Sequence, residues 1–117
     1  MSYERIYQMS FAKLYPNYVL KAEKKNRTKN EVDELIYWLF GYNQTTLKQA
    51  IDKDIDVRTF INNAPKLNDD AILIKGKICG VQIEELEDPL MKKLRYLDKI
   101  IDELARGKSI DKITNRK

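Results

Sequence analysis

Histidine is missing from all 117 residues. Its absence removes the commonest general base, the Ser–His and Cys–His nucleophile pairs, and most zinc sites together. Cysteine is nearly as scarce. Cys79 stands alone, so no intramolecular disulfide can form, and a reducing compartment, the cytoplasm, is the expected location. The four glycines, Gly41, Gly76, Gly80 and Gly107, make neither a phosphate loop nor a dinucleotide fingerprint. Long apolar runs are also lacking. The longest uncharged one, Ile36-Tyr37-Trp38-Leu39-Phe40, falls far short of the roughly 20 residues that cross a bilayer, so no membrane association is expected. The start, Met1 to Ile6, has no signal-peptide pattern. No Pro/Gly/Ser-rich stretch divides the chain, which reads as one domain over 1–117.

What is present suits a single apolar core: 43% hydrophobic and 34% charged residues, with a formal charge of +4 from 22 basic and 18 acidic side chains. So mild an excess makes placement more informative than sum. Lys21, Lys24, Lys25, Arg27 and Lys29 form one basic cluster, Arg106, Lys108, Lys112, Arg116 and Lys117 a basic tail, and Glu84, Glu85, Glu87 and Asp88 an acidic cluster. Solvated helix ends and turns account for all three.

Helical periodicity dominates. Phe11, Leu14, Tyr15, Tyr18, Val19 and Ala22 recur every three or four residues behind Ser10 as cap. Pro16 interrupts them, which predicts either a turn at 10–14 and a helix from about Tyr15 to Lys25, or one kinked helix. Thr28-Lys29-Asn30-Glu31 reads as a capping box, opening a helix that Gly41 closes. Short helices are expected over Asn43–Lys53 and Asp56–Asn63. Asp88-Pro89 opens the clearest helix, ending at Arg106, with Leu90, Leu94, Leu97, Ile101 and Leu104 at 4-3-4-3 spacing. A last turn is expected around Ile110 and Ile113. The segment 68–83 is ambiguous. Asn68, Asp69 and Asp70 favour a helix, the preferred reading, whereas the β-branched residues around Gly76 suit a hairpin. The expected fold is all-α, a bundle of five or six helices, with α+β and a short hairpin at 71–83 as the alternative.

At Met9-Ser10-Phe11-Ala12, Tyr15-Pro16, Trp38-Leu39-Phe40-Gly41-Tyr42, Ala64-Pro65, Cys79-Gly80-Val81, Glu87-Asp88-Pro89-Leu90-Met91, Arg95-Tyr96-Leu97-Asp98-Lys99 and Asp102-Glu103-Leu104-Ala105, the sequence resembles the domain of unknown function 2200 family of bacterial proteins. The resemblance runs over nearly the whole chain. It implies a small bacterial protein and brings no established activity and no site residues.

No constellation nominates a catalytic, metal-binding or cofactor-binding residue, and no cofactor is expected. The acidic cluster reads as the start of the long helix, where the dipole favours carboxylates, and Cys79 as a buried small hydrophobe. Two binding readings remain. Leu90, Met91, Leu94, Leu97, Ile101 and Leu104 make a stripe that looks wide for one neighbour, which points to self-association as a homodimer or to another protein. The alternative is a helix-turn-helix at 39–51, with Gln44, Thr45 and Lys48 reaching bases and Lys24, Lys25 and Arg27 contacting phosphates. Tyr37 at the helix crossing and the carboxylates of Asp52, Asp54 and Asp56 argue against nucleic acid. The expected role is a protein-interaction or self-associating helical domain.

Overall fold

A computed structural model describes residues 3–116. Within them the chain forms α1 (Glu4–Tyr7), α2 (Phe11–Glu23), α3 (Lys29–Phe40), α4 (Gln44–Asp52), α5 (Val57–Asn62), a 3-10 turn (Asp69–Leu73), β1 (Lys77–Ile78), β2 (Val81–Gln82), a second 3-10 turn (Ile83–Glu85), α6 (Pro89–Ala105) and α7 (Ile110–Thr114). The fold is mostly helical, as the periodicity predicts. It has seven helices among the described residues rather than five or six, because the first turn and the last each form a short one.

Local chemistry sets most of these boundaries. Thr28 accepts from the Glu31 amide while the Glu31 carboxylate takes the Thr28 N–H, so the expected capping box is present. Asp88 caps α6 through the amides of Leu90 and Met91, with Pro89 at the first helical position. Ser10 caps α2. Pro16 does not split α2, which runs unbroken from Phe11 to Glu23. An interior proline costs about 3 kcal/mol of helix stability, and burial of Phe11, Tyr15, Tyr18 and Ala22 on one face of α2 offsets it.

The preferred helix over 68–83 does not form. Asn68 caps a 3-10 turn of five residues, and the chain then bends at Gly76 into an antiparallel hairpin, Lys77 opposite Gln82 and Ile78 opposite Val81. Cys79 and Gly80, both at positive φ, make its two-residue turn, which matches the right-handed twist of the paired strands. Glu84 closes the base by accepting from the Gly76 N–H at 2.9 Å. The hairpin buries Ile78 and leaves Lys77 outside.

At the centre lies α6, packed against α2, α3, α5, α7 and β1. Met91, Leu94, Leu97, Ile101 and Leu104 are at most 4% exposed and Leu90 is partly buried against the same cluster. The stripe is wide because several elements of the same chain cover it, not because a second molecule must. Leu20 and Ile72 are the large apolar side chains exposed among the described residues.

Arg27 clasps the far end of α6. Its Nη1 donates to the carbonyls of Leu104 (3.0 Å) and Lys108 (2.9 Å), and its Nη2 to Glu31 at 2.6 Å. Leu104 lies in the last turn of α6 and Lys108 in the segment that follows it, so Arg27 ties the end of the helix to the chain leaving it. Arg27→Met is expected to lower stability in urea unfolding by about 1.5–3 kcal/mol, the range for hydrogen bonds to a charged group. Arg27 and the Thr28 amide hold the Glu31 carboxyl below its ordinary value. A depressed folded-state value means that this stabilisation is complete above the carboxylate range and is lost as pH falls through it. Glu31→Gln should therefore flatten the acid limb of a stability–pH curve.

Candidate functional site

Between α2, α3 and α4 the surface opens into a groove of about 710 Å³, within the size range of ligand sites. Tyr15, Tyr37, Leu47 and Ile51 supply its apolar surface; Asn30, Glu34, Gln44 and Lys48 supply polar edges. Three-residue spacing across Gly41-Tyr42-Asn43 lets α4 start anew, with Asn43 and Thr46 capping each other reciprocally. Leu47 and Ala50 then turn inward, leaving Gln44, Thr45, Lys48 and Gln49 outside.

The groove's base is fixed by a buried carboxylate. Asp33 is 6% exposed; it accepts from the Tyr15 hydroxyl through Oδ1 and from Lys29 Nζ at 2.8 Å through Oδ2. Pairing and hydrogen bonding are what allow a carboxylate to remain there. Lys29 also lies 5.7 Å from the Tyr15 ring centroid. Its ammonium is held above the ordinary lysine value, first by the Asp33 hydrogen bond. The Tyr15 phenol is pushed up to about 12, chiefly by burial and then by Asp33; burial does the same to Tyr42, also to about 12.

Raised phenol values have a definite sign. Between the ordinary 10.0 and about 12 the folded chain keeps protons that the unfolded chain releases, so stability is complete below that window and falls as pH rises through it. In an alkaline titration tyrosinate absorbance should lag and then rise together with loss of helical circular dichroism. A smooth rise at the ordinary tyrosine value with the helix signal intact would contradict this environment for Tyr15 and Tyr42.

Charge in the groove is largely cancelled. Lys29 pairs with Asp33 and Lys48 with Asp52 at 2.9 Å, whereas exposed Glu34 has no ion pair or hydrogen bond to another side chain among the described residues. The residues nominated for nucleic acid do not share one surface. Lys24 and Lys25 line a separate groove between α2 and α6, with Leu20, Asp102 and Arg106; Arg27 is tied to α6; Gln44 and Lys48 line the groove that Asp33 and Glu34 also border. In the basic tail, Arg116 forms a two-pronged pair with buried Glu103 at 2.7 and 3.0 Å and donates to the carbonyls of Leu73 and Ile113.

Two members of the acidic cluster are structural: Glu84 holds the hairpin, and Asp88 caps α6 and accepts from the Tyr7 hydroxyl at 2.8 Å. Cys79, expected to be buried, is exposed at the hairpin turn, because a two-residue turn has no room to fold its side chains inward. The groove itself escaped the sequence reading. Its one available signal is Asp33, a carboxylate between the core residues Val32 and Leu35 with Lys29 four residues before it.

Residues 5–115 match the family described as "Uncharacterized protein conserved in bacteria (DUF2200)". The chain belongs to the DUF2200 family. Among solved structures, it is similar to one titled "Crystal structure of uncharacterized protein SP1917", with 38% identity, a TM-score of 0.92, and coverage of 98% of this chain and 93% of that one. No curated protein matches it. The DUF2200 description carries no activity with it, so the molecular role has to be argued from the groove.

Proposed function

We propose that this protein is an interaction domain that docks a basic, amphipathic segment of another protein in the groove between α2, α3 and α4. The observation that carries the reading is the groove's composition. Aromatic and aliphatic surface from Tyr37, Leu47 and Ile51 lies beside one uncompensated carboxylate, Glu34, with both lysines already paired. Apolar side chains of a partner would cover the first, and a lysine or arginine would meet the second. A polyanion fits poorly, since exposed Glu34 would face its phosphates while both lysines are already paired. The α6 stripe no longer supplies a motive for a second copy, being internal to the fold.

A photo-crosslinking residue at Gln44 tests the reading in cells. One discrete adduct is expected, absent when the crosslinker is moved to exposed Ile72 and abolished by Glu34→Lys with circular dichroism unchanged. An adduct that survives Glu34→Lys would remove the proposed contact. An adduct of twice the chain's own mass would replace the partner protein with a second copy.

A further inference from the structure

A groove of about 700 Å³ lies between α2 and α6. Tyr18 bonds to Asp98, Lys21 to Asp102 and Arg27 to the Leu104 carbonyl, so the two helices run in the same direction along it. Asn17, Leu20, Lys21 and Lys24 border it on α2, at the spacing of one helix face, and span about 10 Å, or two turns. Asp102, Ala105 and Arg106 form the other wall.

The fold leaves two features of this groove unused. One is Leu20, which is 53% exposed, with Ala105 on the facing wall. The other is charge. Asp102 takes both Lys21, at 3.0 Å, and Arg106, at 2.7 Å, whereas exposed Lys24 and Lys25 have no ion pair among the described residues. Lys24 ends α2 and Arg106 ends α6, so the parallel course of the helices gathers the cations at one end of the groove. Cations at helix C-termini offset the dipole, which accounts for their positions. It does not account for an exposed leucine beside them.

We propose that this groove docks an acidic amphipathic helix of a partner protein, an aliphatic side chain of which seats on Leu20 and Ala105 while aspartates or glutamates meet Lys24 and Lys25. Charge complementarity carries the choice of occupant. Four cations border the groove against one carboxylate, and that carboxylate is already neutralised. Two turns of groove fit apolar anchors at i and i+3 or i+4, the pattern of a helix laid between helices. A nucleic acid would meet the lysines and leave Leu20 without a partner, and a bilayer would need apolar side chains that protrude rather than line a recess. The surface is separate from the groove between α2, α3 and α4, takes a segment of opposite charge, and does not depend on that reading.

The probe is a fluorescein-labelled peptide of about four helical turns, with leucine at every third or fourth position and glutamate flanking that stripe, followed by anisotropy on the intact protein. Saturable binding is expected at a concentration about tenfold or more below that of a scrambled isomer, which keeps charge and composition and loses the stripe. Leu20→Ser should weaken binding about tenfold, and Lys24→Glu combined with Lys25→Glu about a hundredfold. These side chains are exposed, so helical circular dichroism should stay unchanged in both variants. Glu34→Lys, in the other groove, should leave the affinity as it is. Equal affinity for the scrambled isomer, no saturable binding at low salt, or loss of binding in Glu34→Lys would overturn the proposal. Tighter binding of a short DNA duplex than of the peptide at physiological salt would assign the surface to nucleic acid, and binding to phosphatidylglycerol vesicles that is lost in Leu20→Ser would assign it to a membrane; either result overturns the acidic helix.

Discussion

Gly41→Ala is expected to remove a large share of the folding free energy, about 3 kcal/mol or more, and to leave little folded protein at physiological temperature. Two costs combine. Gly41 ends α3 at φ +80, a conformation in which any side chain adds about 1 kcal/mol or more. An added Cβ would also lie 2.8 Å from the Lys66 N and 2.9 Å from its carbonyl O. Those are backbone atoms held by the Lys66 N–H to Phe40 carbonyl bond at 3.1 Å and the Asn68 N–H to Leu39 carbonyl bond at 2.8 Å, so they cannot yield as a side chain would. The substitution should shift the urea midpoint steeply. Gly107→Ala, with a comparable positive φ and nothing within 4 Å of the added carbon, isolates the conformational part and should cost much less.

Phe60→Ala should cost about 3–5 kcal/mol, the range for emptying a buried phenylalanine site. Phe60 is where the aromatic core converges. Phe11 stacks on it with centroids 3.6 Å apart, Tyr42 stacks at 4.5 Å, and Phe40 meets it edge-on at 5.8 Å. The Tyr42 hydroxyl also donates to the Phe60 carbonyl at 2.5 Å. Elements α2, α3 and α5 and the turn before α4 thus share one side chain, so the cavity cannot collapse without moving all of them. Phe60→Leu should retain more than half of the lost stability, since it leaves a smaller void. A calorimetric loss below about 1 kcal/mol for Phe60→Ala would mean that the ring is not packed on all sides.

What the sequence made legible is what neighbours in sequence decide. Thr28 with Glu31, Gly41, Asp88 with Pro89, and Asn68 as a cap each set a boundary through contacts within a few residues. The sequence misleads where distant elements decide. Ile72, Ile74 and Ile78 suit helix and strand alike, and the outcome depended on Gly76 bending the chain so that Glu84 could return to it. The apparent surplus on α6 vanished because α2, α5 and the hairpin, far apart in sequence, close over it. Arg27 looked like a phosphate contact and is instead bound to carbonyls 77 and 81 residues away. The groove was invisible for the same reason. It is a gap between three helices, and only Asp33, an anion out of place on an apolar face, marked it.

Whether α6 belongs to one chain's interior is the claim on which the rest depends, and sedimentation equilibrium at tens to hundreds of micromolar measures it most directly. A single species of 13.8 kDa is expected at every concentration, with full helical signal at the lowest. A mass that climbs toward twice that value, with helix lost on dilution, would show that the core is completed by a second copy and would contradict it.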